Sequence, residues 1–292
     1  MILVDPPAWP AHDTLWSHLV SDRSLTELHD FAAGLGISRR AFDLDHYDIP
    51  ASRHQDAVDA GAIPLGGGEL TRRLLGSGLR VPGRDRAVLK GLRHRWLLAR
   101  PEDYPVVDEL LTRWREPHRT YHGPTHLAET LAALDLLTVD DATPRAAELA
   151  LWFHDAVHDG RTPQDEEASA DLAERMLTGH ADFASDRRLS GTVAALVRMT
   201  ARHDPTPDDP AAALVSDADL AILGADSDRY DEYTRQIRAE YAHVPDEQFR
   251  IGRAAVLDQL LGLPSLYATP RGRALWSARA AANLHRERAA LR

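Results

Sequence analysis

From residue 84 to residue 290 the chain repeats one pattern: Ala- and Leu-rich stretches with apolar residues three and four apart, broken by turns that often carry proline. That period fits the 3.6-residue turn of an α-helix and conflicts with the two-residue alternation of a strand, so this region can bury itself only as packed helices. The spacing predicts helices over 84–98, 103–115, 123–137, 144–157, 164–178, 186–201, 210–223, 227–240, 246–260 and 271–290. The first 80 residues read differently. Ile2–Val4, Ala41–Leu44 and Ala62–Leu65 are short apolar runs of strand character, and Ser24–Gly36 has a helical period opened by Ser24 with Glu27 three residues on, the pattern of a capping box. Gly66-Gly67-Gly68 turns the chain into a further helix over Glu69–Leu75. At 292 residues the chain exceeds what one core usually organises, and the glycines, proline and charges of Gly76–Asp85 mark a linker. The fold expected is therefore mainly α: a small α/β domain over 1–82, then an all-α domain over 83–292.

Composition narrows the function classes. Hydrophobic residues make up 43% and charged residues 27%, which is the balance of a globular core and not of a disordered chain. A formal net charge of −11 argues against a surface that collects nucleic-acid phosphates or anionic lipid, and in favour of a small substrate. Cysteine is absent, so any metal must be held by nitrogen and oxygen. The N-terminal MILVDPPAWPAHD lacks the form of a signal peptide, and no run approaches the ~20 apolar residues of a spanning helix, so a cytoplasmic location is expected.

Three separated segments carry the chemistry: Tyr121-His122-Gly-Pro-Thr-His126, Phe153-His154-Asp155-Ala-Val-His158 and Ser216-Asp217-Ala-Asp219-Leu220. His122 and His126 stand four apart, as do His154 and His158, so in a helix each pair shares a side. Pro124 puts His122 at a helix start. The stretch AAELALWFHDAVH is apolar almost all round and must be buried, yet a buried ionised aspartate is costly unless it is paired or bound to a cation. A divalent ion held by neutral imidazoles and carboxylates would satisfy Asp155, with His154 as companion ligand. Each histidine alone is more often a hydrogen-bonded core residue; the three segments together are what point to metal. Of Asp217 and Asp219, one is expected to be the ligand and the other a cap or surface acid.

The ordered set His126, His154-Asp155 and Asp219 resembles the HD superfamily of metal-dependent phosphohydrolases, all-α proteins named for the His-Asp doublet. From about Arg119 to Tyr267 the chain is similar to one branch of that superfamily, through Arg119-Thr-Tyr121-His122, Phe153-His154-Asp155, Glu166-Glu-Ala-Ser169 and Asp217-Ala-Asp219-Leu220-Ala-Ile-Leu-Gly224. The same segments are similar to cyclic-nucleotide phosphodiesterases, which implies a general acid at His122 and a ligand at His126; Gly123 stands where that pattern has asparagine, and cyclic-nucleotide hydrolysis itself is not implied. The resemblance implies an HD-type helical domain binding one or two divalent ions (Mn, Fe, Co, Ni, Mg or Zn) through His126, His154, Asp155 and Asp219, with Asp155 bridging if there are two.

The implied reaction is cleavage of a phosphate ester, in a nucleotide or another small phosphorylated metabolite, by metal-activated water. Arg119 is then the expected phosphate clamp, Glu166 orients water or a ligand histidine, and His158 and His203 are extra ligands or donors behind the ligands. Two other readings stand beside hydrolysis: a di-iron oxygenase of HD type, and a nucleotide-binding module without turnover. Residues 1–80 resemble a small uncharacterised domain, through Trp16-Ser-His18-Leu19, Glu27-Leu-His29-Asp-Phe31-Ala32 and His46-Tyr47-Asp48. There His18, Asp22, His46 and Asp48 read equally as a second polar site or as capping and surface groups.

Overall fold

A computed structural model describes residues 1–138, 144–179 and 187–291. It forms two compact units, Met1–Tyr104 and Pro105–Arg292, and is mainly helical with a small mixed sheet near the N-terminus.

In the first unit, β1 (Ile2–Val4), β2 (Trp9–Ala11), β3 (Thr14–Ser21), β4 (Tyr47–Pro50) and β5 (Ile63–Pro64) form the sheet. β3 is its spine: it pairs antiparallel with β1, β2 and β4, while β5 joins β1 in parallel. β2 and β3 are joined through His12 and Asp13, both left-handed at φ 49° and 58°, as a two-residue hairpin of type I′ requires. Alternation along β3 gives each face its own core. Leu19 packs with Ile2, Val4 and Leu28 of α1 (Leu25–Gly34), together with Ala57 of α2 (Ala51–Asp59). Val20 packs with Leu3 and with Leu70 and Leu74 of α3 (Gly67–Gly76). β2, β3, β4 and α2 were not foreseen; in β3, Ser17 and His18 interrupt the apolar alternation. The strand expected at Ala41–Leu44 is instead a 3₁₀ turn, Arg39–Ala41, followed by an isolated bridge from Phe42 to Tyr47. Ser24 does cap α1, accepting from the Glu27 amide at 3.1 Å. The reciprocal bond is missing, because Glu27 takes the Ser21 hydroxyl at 2.5 Å and the N-terminal amine at 3.0 Å.

Pro82, the expected boundary, is the N-cap of α4 (Gly83–Ala99), which belongs to the first unit. Arg86 of this helix reaches the fully buried Asp45 at 3.2 Å. Composition marked the break before α4; the contacts place it after.

The second unit is built from α5 (Tyr104–Trp114), α6 (Pro124–Leu137), α7 (Arg145–Phe153), α8 (Gln164–Gly179), α9 (Arg187–Thr200), α10 (Pro210–Asp219), the 3₁₀ turn Leu220–Gly224, α11 (Ser227–Glu240), α12 (Asp246–Gly262) and α13 (Pro270–Ala290). The expected start of α9 at 186 lies outside the described residues. α7 is central, with Leu149 to Phe153 all buried. It packs on α9, α10 and α6, while α8 covers α9. α6 carries proline at its first turn, where a missing N–H costs nothing. α13 closes on the 3₁₀ turn: a Cβ on Gly224 would overlap the Trp276 side chain and stand 2.9 Å from its Cα. Asn283 ties the same turn down, donating to the carbonyls of Leu223 at 3.0 Å and Ala225 at 2.9 Å. No helix among the described residues is long and apolar enough to cross a membrane.

Candidate metal centre

The centre is assembled at helix ends. His126 lies in the first turn of α6, Asp219 is the last residue of α10, and α7 stops at Phe153 with His154 as its C-cap. His154 to His158 is thus a turn, and the shared helical side expected for His154 and His158 does not exist. Two groups from α8 hold this turn. Ser169 Oγ takes the Val157 amide at 2.9 Å and donates to its carbonyl at 3.2 Å, and Asp165 accepts the amides of Asp159 at 2.7 Å and Arg161 at 2.8 Å. Ser169 carried a sequence signal; Asp165 did not.

Four side chains from these ends converge. The Nε2 atoms of His126 and His154 are 3.1 Å apart. Asp155 Oδ2 lies 3.1 Å from His154 Nε2 and 3.6 Å from His126 Nε2. Asp219 Oδ1 lies 3.2 Å from His126 Nε2 and 3.5 Å from His154 Nε2. Both histidines are buried. His154 donates from Nδ1 to the Leu151 carbonyl at 2.8 Å, which leaves Nε2 as the atom with a lone pair facing the carboxylates. Burial works against charge on both acids, yet His154 and His126 hold Asp155 and Asp219 well below the usual carboxylate range. Burial likewise pulls the two imidazoles down, and the acids more than reverse it, His154 most strongly. Two carboxylates and two imidazole nitrogens crowded into one buried spot are a donor set that fits a divalent cation.

Asp217 is the other member of its pair and faces away. It is fully buried and accepts from the amides of Ala268 and Thr269 and from Thr269 Oγ1, at 2.6, 2.9 and 2.6 Å. Thr269 is the N-cap of α13, so Asp217 anchors that helix. Burial pushes its carboxyl up, against those hydrogen bonds. It is thus not the ligand of the pair, and it is a buried anchor where a cap or surface acid was expected.

His203 joins the centre from the left-handed region at φ 49°, with Nε2 3.5 Å from Asp219 Oδ2 and Nδ1 3.2 Å from Ser216 Oγ. Burial lowers its pKa, with Asp219 opposing. Glu166 takes the Thr162 hydroxyl on Oε1 at 2.8 Å, while Oε2 is buried without a hydrogen-bond partner among the described residues.

Arg119 is not a phosphate clamp. Its side chain is 1% exposed and all five guanidinium N–H groups are spent: on Glu116, and on the carbonyls of His122 at 3.2 Å, Asp155 at 2.5 Å and Ala156 at 3.2 Å. It staples the first histidine segment to the His-Asp turn.

The residue that sequence reasoning missed is Glu240, the last of α11. Its Oε1 lies 2.5 Å from His122 Nδ1 and 3.2 Å from His158 Nε2, and its Oε2 accepts the amides of Thr120, Tyr121 and His122. Burial opposes the charge, but these bonds hold the carboxyl well below its usual range. The His122 and His158 rings are tilted 31° to one another with centroids 4.0 Å apart, and His158 Nδ1 is 3.9 Å from Asp155 Oδ1. Burial pushes the His122 pKa down, with Glu240 and Asp155 opposing. One acid among the four of this helix gives no sequence signal.

His126 and Asp219 also line a cavity of about 350 Å³ with Glu129, Arg229 and Trp276, where Arg229 forms a two-point pair with Glu129 at 2.6 and 2.7 Å.

With this geometry in hand, the comparisons bear on the other unit. Residues 2–77 match the family model described as a protein of unknown function (DUF4031). That agrees with the small uncharacterised domain read from the N-terminal motifs. No curated protein and no solved structure matches the chain. The match ends before the helical unit.

Proposed function

We propose that the helical unit is a metal-dependent phosphohydrolase acting on a small phosphate ester, nucleotide-like in size. The observation that carries this reading is the convergence of His126, His154, Asp155 and Asp219, with the five donor distances above between 3.1 and 3.6 Å. These four residues would hold a divalent ion, which supplies Lewis acidity and a water made acidic enough to react near neutral pH. The chain's own part is to exclude bulk water with Trp114 and Tyr121, whose rings pack on His126 at 6.2 and 4.7 Å, and to place a proton carrier beside the ester. That carrier is His122. Glu240 fixes its Nδ1, leaving Nε2 to pass a proton to the departing oxygen. The cavity along α6 has room for a small substrate, and Arg229 on its wall, already paired with Glu129, would have to share its guanidinium with a bound phosphate.

The test is hydrolysis by the full chain reconstituted separately with Mn, Fe, Co, Ni, Mg and Zn, against nucleoside phosphates and generic phosphate mono- and diesters. Metal-dependent release of phosphate or alcohol, lost in Asp155→Ala, is the expected result. Turnover that survives unchanged in Asp155→Ala overturns it.

A further inference from the structure

A second cluster, in the first unit, is built on the sheet and owes nothing to the helical centre. His18 on β3 stands opposite Asp48 on β4 in the strand register, and such pairs share a face. His46 precedes Asp48 by two residues, so it also faces that way. Asp48 Oδ1 lies 3.5 Å from His46 Nε2 and 3.8 Å from His18 Nε2, and the three donor atoms all fall within 4.8 Å of one another. A tetrahedral ion with bonds of about 2.0–2.1 Å sets its donors roughly 3.4 Å apart, close to this spacing.

The second observation is independent of that spacing. Each imidazole has its far nitrogen held by a separate buried carboxylate: His18 Nδ1 by Asp5 Oδ2 at 2.9 Å, and His46 Nδ1 by Asp45 Oδ1 at 2.6 Å. Asp5 also accepts the His18 amide at 2.5 Å, and Asp45 accepts the Val81 amide at 2.7 Å. Carboxylates on both Nδ1 atoms select the tautomer whose Nε2 bears the lone pair, and both Nε2 atoms then point at Asp48. This is the arrangement that supports histidine ligands behind a metal. One solvent-facing side remains. Asp48 borders a cavity of about 650 Å³ with Trp9, Trp16, Lys90 and Arg93, and the Trp9 ring packs edge-on against His18 with centroids 5.4 Å apart.

We infer that His18, His46 and Asp48 form a second divalent-metal site, for an ion of the zinc, cobalt or nickel class, with Asp5 and Asp45 orienting its histidines. Three protein donors leave coordination room for a water or an exogenous donor on the cavity side, as sites that act on a ligand do and closed structural sites do not.

The experiment is a cobalt(II) titration of the metal-stripped full chain, read by bound metal per chain and by visible ligand-field absorption, in the parent and in His18→Gln and Asp48→Asn. Each substitution is expected to remove one bound ion per chain, weakening that site at least about 100-fold, with thermal unfolding showing that the chain remains folded. Asp5→Asn weakens it about 10–100-fold. Because the readout is the ion lost on changing His18 or Asp48, it is separate from occupancy at His154 and Asp155, and either site can fail without the other. Should His18→Gln unfold the chain, X-ray absorption of the cobalt-loaded Asp155→Asn protein must still show imidazole scattering from a bound ion. Unchanged stoichiometry in His18→Gln and Asp48→Asn, or no ion bound by Asp155→Asn, overturns the site.

Discussion

Glu240 Oε1 lies 2.5 Å from His122 Nδ1, although 118 residues separate them. The carboxylate also gathers three backbone amides and His158, so α11 fixes the orientation of His122, the proposed proton carrier, from a different part of the chain. Glu240→Gln keeps the shape but presents an amide N–H to backbone donors. It is expected to lower kcat about 10–100-fold with little change in KM, since the residue positions and does not bind substrate. Steady-state kinetics on the folded variant check this.

Asp217 and Asp219 make opposite predictions. Asp219→Asn should remove the share of the metal-induced rise in melting temperature that comes from the helical centre, a stabilisation of about 2.7 kcal/mol at a hundredfold excess over Kd. Asp217→Asn should keep that metal response and lower the stability of the metal-free chain by about 1–3 kcal/mol, because the start of α13 loses its buried acceptor. Thermal scans with and without metal separate the two.

Arg119→Lys retains the charge but not the five-donor fork. A staple predicts a loss of about 2–4 kcal/mol in stability. A phosphate clamp would instead raise KM with stability intact. Denaturant unfolding and kinetics on one preparation decide between them.

His29 reports on acid stability. It is largely buried with Nδ1 on the Tyr47 hydroxyl at 2.8 Å, and burial, with Arg39 and Arg93 nearby, pushes its pKa down to about 3 from 6.5. The unfolded chain therefore binds this proton more readily. Its contribution is fully present above pH 6.5 and is lost as pH falls from there toward 3, at up to about 1.4 kcal/mol per pH unit. His29→Gln should flatten the fall in melting temperature between pH 6 and 4, measured against the parent.

Gly224→Ala drives a methyl into Trp276 of α13. A destabilisation of about 1–3 kcal/mol or more is expected from chemical denaturation, since backbone and not a flexible tip must move.

The helical unit was legible because its signal is periodic and long: α6, α8 and α11 fall within a residue or so of the expected bounds. The convergence of His126, His154, Asp155 and Asp219 was also legible, since charged or polar groups set in apolar stretches require a partner. What was not legible depends on distance in sequence. Glu240 looks like any acid of a charged helix until its fold neighbours are known. Arg119 looked like an available cation because the carbonyls that consume its donors appear only once two segments meet. The short strands β2 and β4 escaped because three or four residues cannot display an alternation.

The end of α7 at Phe153 has a consequence for how this protein can vary. The His-Asp turn is braced by Ser169 and Asp165 of α8, a helix that supplies neither the two histidines nor the two acids at the heart of the centre. Changes in α8 would therefore detune the centre while every ligand stayed in place, making an apparently remote helix the natural site for adjusting its reactivity.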